Sequence, residues 1–106
     1  MIAVLNIGLK IQGIYSPENE QKFLSYIPNI LRSRVDLGQY VGESEPTLIV
    51  EIEVQGALLG LLVAALVIDC EQECIAVKYE DKGELLYSLD FKGEKFEYDE
   101  QYFINI

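Results

Sequence analysis

The chain of 106 residues predicts an α+β fold: an N-terminal strand, a kinked helical segment over about residues 17–35, then an antiparallel β-meander. Three observations predict it. SPENE, from Ser16 to Glu20, carries helix-start chemistry. An apolar stripe at 3.6-residue spacing follows it. After Thr47 most segments alternate between apolar and polar, with glycine-bearing turns between them.

Residues 2–15, IAVLNIGLKIQGIY, read as the first strand, with Ile7, Leu9 and Ile11 on one face and Asn6, Gly8, Lys10 and Gln12 on the other. Ser16 is the expected N-cap and Pro17 suits the first helical position. Glu18 and Glu20 favour the positive end of the helix dipole. Phe23, Leu24, Ile27, Ile30, Leu31 and Val35 then form one stripe. Pro28 lies inside it without an N–H, so a kink or a second short helix is expected there. Arg32 and Arg34 suit the helix's negative end.

DLGQYVGESEP, residues 36–46, reads as a mobile loop. TLIVEIEV, 47–54, reads as a strand with Thr47, Ile49, Glu51 and Glu53 opposed to Leu48, Val50, Ile52 and Val54. Residues 57–68, ALLGLLVAALVI, are apolar throughout and so expected to be buried. Alanine and leucine favour a helix there, whereas Val63, Val67 and Ile68 favour a strand. The tight turn available at Gln55-Gly56 tips the reading to a strand, with a second, buried helix as the alternative. ECIAVKYE, ELLYSLDF and KFEYDEQYFINI are the remaining strands, separated by Asp81-Lys82-Gly83 and Lys92-Gly93 turns. The whole, 1–106, is expected to be one domain, a length that can bury a core without staples.

Charge and absences bound the function. The formal net charge is −10 with eight lysines and arginines, which disfavours nucleic acid and anionic membrane surfaces as direct ligands. Residues 1–68 hold seven acids and four bases, and residues 69–106 hold eleven and four, so most of the field comes from the last third. A basic protein is the partner class this balance favours. The beginning of the chain lacks signal-peptide character, and the twelve apolar residues at 57–68 fall short of the roughly twenty a bilayer needs. Cytoplasm is the expected compartment.

No histidine is present, which excludes histidine-based triads and histidine–zinc sites. Gly8 and Gly13 have P-loop spacing, but Ile14-Tyr15 stand where Lys-Ser/Thr would reach phosphate. The carboxylates Asp69, Glu71 and Glu73, or the pair Glu51 and Glu53, form no distinctive cation or acid–base pattern among eighteen acids. Cys70 and Cys74 in CEQEC read as reduced, partly buried thiols made sluggish by the flanking acids. An enzyme, a cofactor and a metal site are therefore not expected.

The stretch FEYDEQYF, 96–103, interleaves rings with acids. Strict alternation puts Phe96, Tyr98, Glu100 and Tyr102 on one face and Lys95, Glu97, Asp99, Gln101 and Phe103 on the other, with a bulge near Asp99-Glu100. Tyrosine is favoured at binding surfaces because its ring packs while its hydroxyl bonds. The expected function is an acidic inhibitor of the immunity-protein, antitoxin or phage-inhibitor type. It would cap a basic partner such as a nuclease toxin or another nucleic-acid-binding protein. Its expected contacts are Glu80, Asp81, Glu84, Asp90, Glu97, Tyr98, Asp99, Glu100 and Tyr102. The competing expectation is a non-catalytic assembly subunit, homo-oligomeric or otherwise, that pairs through an exposed sheet edge.

Overall fold

The first strand of the chain is an inner strand of the sheet. The computed structural model describes residues 1–40, 43–72, 74–80, 82–87, 96–97 and 103–106, with the backbone alone described at 40, 74, 82, 84–87 and 96–97. Strand β1 (Ile2–Gly8) pairs antiparallel with β5 (Glu43–Glu53) on one side and β6 (Cys74–Tyr79) on the other. The six-stranded sheet runs β4-β5-β1-β6-β7-β8, where β4 is Ile30–Tyr40, β7 is Lys82–Tyr87 and β8 is Phe96–Glu97. Every pairing is antiparallel. Helices α1 (Pro17–Tyr26) and α2 (Gly56–Asp69) complete the α+β fold.

The expected strand over 2–15 is shorter than its alternation suggested. It stops at Gly8, and Lys10–Ile11 (β2) and Ile14–Tyr15 (β3) fold back as a two-residue hairpin. Gln12 and Gly13 both take positive φ, 52° and 78°, the geometry that matches strand twist in tight hairpins. Asn19 secures this corner by donating to the carbonyls of Leu9 (2.7 Å) and Ile14 (3.2 Å).

Pro28 ends the first helix rather than kinking it. The residue before a proline is driven out of the helical region, and Ile27 is extended, with φ −104° and ψ 115°. Asn29 then turns at φ 55°, and Ile30–Tyr40 continue as strand β4, not as a second helix. Within the stretch 36–46, expected as a loop, residues 36–40 and 43–46 are paired strand instead, with pairing that runs to Tyr40↔Glu43. At the other end of β4 a register shift between Ile30 and Arg32 marks a bulge.

The preferred strand over 57–68 is corrected to a helix. Length decides it, since fourteen residues in α2 exceed a usual strand and suit a helix, for which alanine and leucine supply the propensity. The β6–β7 turn also comes earlier than Asp81-Lys82-Gly83, with pairing already at Tyr79↔Lys82 and Glu80 at φ 52°. The Lys92-Gly93 turn and the bulge expected near Asp99-Glu100 lie outside the described residues.

The core is the face of the sheet under the helices. Ala3, Leu5 and Ile7, Leu48, Val50 and Ile52, and Ile75 and Val77 all point into it, and Phe23, Ile27, Leu59, Val63 and Leu66 close it from above. Each large side chain so buried contributes about 1.5–3 kcal/mol. On the second face Phe103–Ile106 runs across the strands. Asn6 donates to the Ile104 carbonyl (3.0 Å) and accepts from its N–H (2.9 Å), while Arg34 donates to the Asn105 carbonyl (2.8 Å). Ile49, the cross-strand partner of both Asn6 and Arg34, is fully buried under this segment. Phe103, expected on a solvated face, is buried instead, and Lys78 reaches its ring at 6.0 Å.

Candidate functional site

Two exposed apolar surfaces stand out among the described residues. The first is the outer face of α2. A helix that is apolar on every side cannot bury its whole circumference against one layer. Leu59, Val63, Leu66 and Val67 face the core, and Leu58, Leu61 and Ile68 are left outside, 50%, 68% and 60% exposed. Their spacing of three and seven residues makes one stripe along the helix. A Cβ at Gly60 would meet open space, so none of the described residues covers that point of the helix. At the helix's negative end stand Asp69 and Glu71, both exposed, and Gln12 donates to the Glu71 carboxylate at 3.1 Å. The sequence held a signal for this face: positions 56–68 contain no charged residue, more apolar surface than one side of a helix can hide.

The second surface is strand β4, eleven residues at the end of the sheet. Ile30, Leu31, Val35 and Leu37 are all exposed, Leu37 to 68%. Its charges are paired locally. Arg32 donates to both carboxylate oxygens of Glu51 (3.2 Å each), which raises its already high pKa. Arg34 donates to Asp36 (2.6 Å), whose other oxygen accepts from the Leu37 N–H (2.8 Å). The guanidinium first and that N–H second hold the Asp36 carboxyl below its usual range. Nearby, burial pushes the Glu45 carboxyl up, with Lys10 opposing and Glu43 adding to it.

The predicted contact set is brought together only in part. Glu80 is exposed at the β6–β7 turn. Glu84 and Glu97 are Cα partners across β7 and β8, and Glu84 is also the partner of Val77. Two glutamates thus share one row at the sheet's other end. Asp81, Asp90, Tyr98, Asp99, Glu100 and Tyr102 lie outside the described residues.

The remaining chemistry is structural where it is described. Glu51 and Glu53 do share a strand face, but Glu51 is engaged by Arg32. Cys70 is buried at the end of α2, and burial, before the nearby Asp69, pushes its thiol up. Glu71 at φ 52° turns the chain after it, so CEQEC is neither a continuous helix nor a simple hairpin. Among the described residues no cluster of three or more acids and cysteines gathers as a metal site would, and no helix is long and apolar enough to cross a membrane. No protein-family model matches the chain, and no curated protein or solved structure is significantly similar to it.

Proposed function

We propose that this chain is a non-catalytic, acidic protein-binding module that caps a basic, nucleic-acid-handling partner protein. The observation that carries the reading is the solvent-facing apolar stripe of Leu58, Leu61 and Ile68 on a chain of net charge −10. Binding surfaces join an apolar centre, which holds the complex, to a charged rim, which steers encounter. The stripe supplies the centre. Asp69 and Glu71 at the end of α2 supply one part of the rim. Glu80, Asp81, Glu84, Asp90, Glu97, Asp99 and Glu100 supply the long-range field, and Tyr98 and Tyr102 offer rings to the partner.

The test is capture of a partner from native lysate on the immobilised chain, followed by association kinetics with the purified pair. Raising salt from low to physiological strength should slow association about tenfold or more and change dissociation less. Glu97→Lys/Asp99→Lys should slow association, and Leu61→Asp should speed dissociation. Salt-independent association together with full affinity in all these variants would overturn the reading.

A second reading, a subunit that assembles through its sheet edge, is favoured by one separate observation. β4 ends the sheet, and among the described residues no further strand pairs with its outer edge, which leaves a template for another chain.

A further inference from the structure

The open edge of β4 has a preferred occupant, and the backbone pattern identifies it. In an antiparallel pair alternate residues turn their N–H and C=O toward the neighbour or away from it. Val54 N–H donates to the Met1 carbonyl and Leu9 N–H to that of Pro46, so the even residues of β5 face β1. Glu53 N–H donates to the Asn29 carbonyl, so the odd residues face β4. The β4 partners of those odd residues are Arg32, Arg34, Asp36 and Gly38. Ser33, Val35, Leu37 and Gln39 must therefore turn their peptide groups outward. The Leu37 N–H bears this out, since it is taken by the Asp36 carboxylate rather than by β5.

A second β4 strand approaching antiparallel can bond only outward residues to outward residues. The two-fold axis then passes through a residue, and the charges choose which one. Centred on Arg34 it opposes two arginines at the axis, and the Arg32–Asp36 pairs it also sets would draw Arg32 from Glu51, which already binds it through two hydrogen bonds. Centred on Asp36 it opposes two aspartates. Centred on Ser33 it sets Arg32 against Arg34. Centred on Leu37 it pairs neither charge with an opposite one. Centred on Val35 it sets Arg34 against Asp36 of the other copy, twice, at non-hydrogen-bonded positions where side chains lie closest.

We propose that β4 pairs antiparallel with β4 of a second copy about a two-fold axis at Val35, joining two six-stranded sheets into one of twelve strands. Arg34 and Asp36 are both exposed on the edge. Within one chain Arg34 holds Asp36 and the Asn105 carbonyl, and across the seam it keeps the carbonyl and exchanges its own Asp36 for that of the other copy. Val35, 39% exposed, meets its own copy, and Leu37, 68% exposed, meets Ser33. Both apolar residues lie on the helix-bearing face, since their β5 partners are Leu48 and Pro46. Pairing thus extends the core layer as well as the sheet. The Leu37 N–H exchanges its Asp36 cap for the Ser33 carbonyl of the partner copy, which releases that carboxylate to Arg34 across the seam. A seam this short lies at the small end of interfaces, so the dimer is expected to be roughly micromolar. This inference rests on the sheet-edge reading.

Sedimentation equilibrium of the full chain from about 1 to 500 µM, at moderate salt, tests it. The expected result is a concentration-dependent dimer. Arg34→Asp alone, or Asp36→Arg alone, should weaken it at least tenfold, and the double exchange Arg34→Asp/Asp36→Arg should restore it to within about threefold. Val35→Pro removes an outward N–H that β5 does not use, and should abolish the dimer; circular dichroism verifies that each variant is folded. A dimer lost with Val35→Pro but indifferent to both charge exchanges would overturn the Val35 register and keep the edge reading. A dimer indifferent to all these variants, or a monomer throughout the range, would overturn both.

Discussion

Asn6 is the side chain whose removal should be felt furthest from its own position. It is buried on the second face of the sheet and makes both of its bonds to one residue, Ile104. Replacement by leucine keeps the size and takes away a donor and an acceptor together. Each bond contributes about 1 kcal/mol, and an Ile104 peptide left in place without partners costs a further 1–3 kcal/mol for each unsatisfied group. Some of that is escaped by letting Phe103–Ile106 lift off, which exposes Ile49 and Phe103 instead. Leucine's added apolar surface offsets part of the loss, which leaves about 2 kcal/mol. For a domain of this size that corresponds to a fall in Tm of roughly 8–16 °C. Urea unfolding followed by circular dichroism gives the free energy, and hydrogen exchange at the Ile104 amide gives the local effect. Protection of that amide should vanish in Asn6→Leu. Asn6→Asp adds a second signature, because the introduced carboxyl can donate only when protonated, so its deficit should shrink in acid. A stability within about 0.5 kcal/mol of the parent, with Ile104 still protected, would refute the clip as described.

Gly38→Ala should destabilise by about 1–3 kcal/mol, because a Cβ there would meet the Thr47 side chain, 3.1 Å from its Cβ and closer still to its hydroxyl; urea midpoints measure it. Leu61→Asp should leave the melting temperature within the range of surface substitutions while reducing dye binding to exposed apolar surface, since the side chain is largely outside already. The Asp36 and Glu45 carboxyls act with opposite sign. Asp36 is held low, so its contribution is present above the ordinary carboxylate value and lost as pH falls through the lowered one. Glu45 is pushed up, so its contribution is present below the ordinary value and lost as pH rises through the raised one. Glu45→Gln should therefore stabilise the protein at pH 7 and not at pH 3, as paired thermal melts would register.

The inner part of β5 was legible because Glu51 and Glu53 alternate with Val50, Ile52 and Val54. β4 was not, although Arg32, Arg34 and Asp36 alternate with Ser33, Val35 and Leu37. An apolar stripe of helical spacing ran straight through Pro28 into the same residues, and periodicity cannot decide where two periods overlap. The proline's effect on Ile27 decides it, by ending one period so that the other can begin. In α2 the difficulty was the reverse: an all-apolar run has no period, and only its length discriminates. Burial was then expected because apolar residues usually find cover, whereas one sheet face can take only one side of a helix. The acidic contact set was legible as charge and not as arrangement. Of its nine residues, the register brings together Glu84 and Glu97.

The position of β1 has a kinetic consequence. It precedes both of its neighbours in the chain, and its partners are Thr47 to Glu53 on one side and Ala76 to Tyr79 on the other. At a synthesis rate of roughly 5–20 residues per second, this most apolar strand waits several seconds for the first partner and longer for the second. The β4–β5 hairpin, closed by neighbours in sequence, can form while β1 is still waiting. Refolding should accordingly be slow, limited by inserting an early strand between two late ones. A permuted chain that begins at β4 and delivers β1 after β6 would add it to a standing template, and should fold faster at unchanged stability.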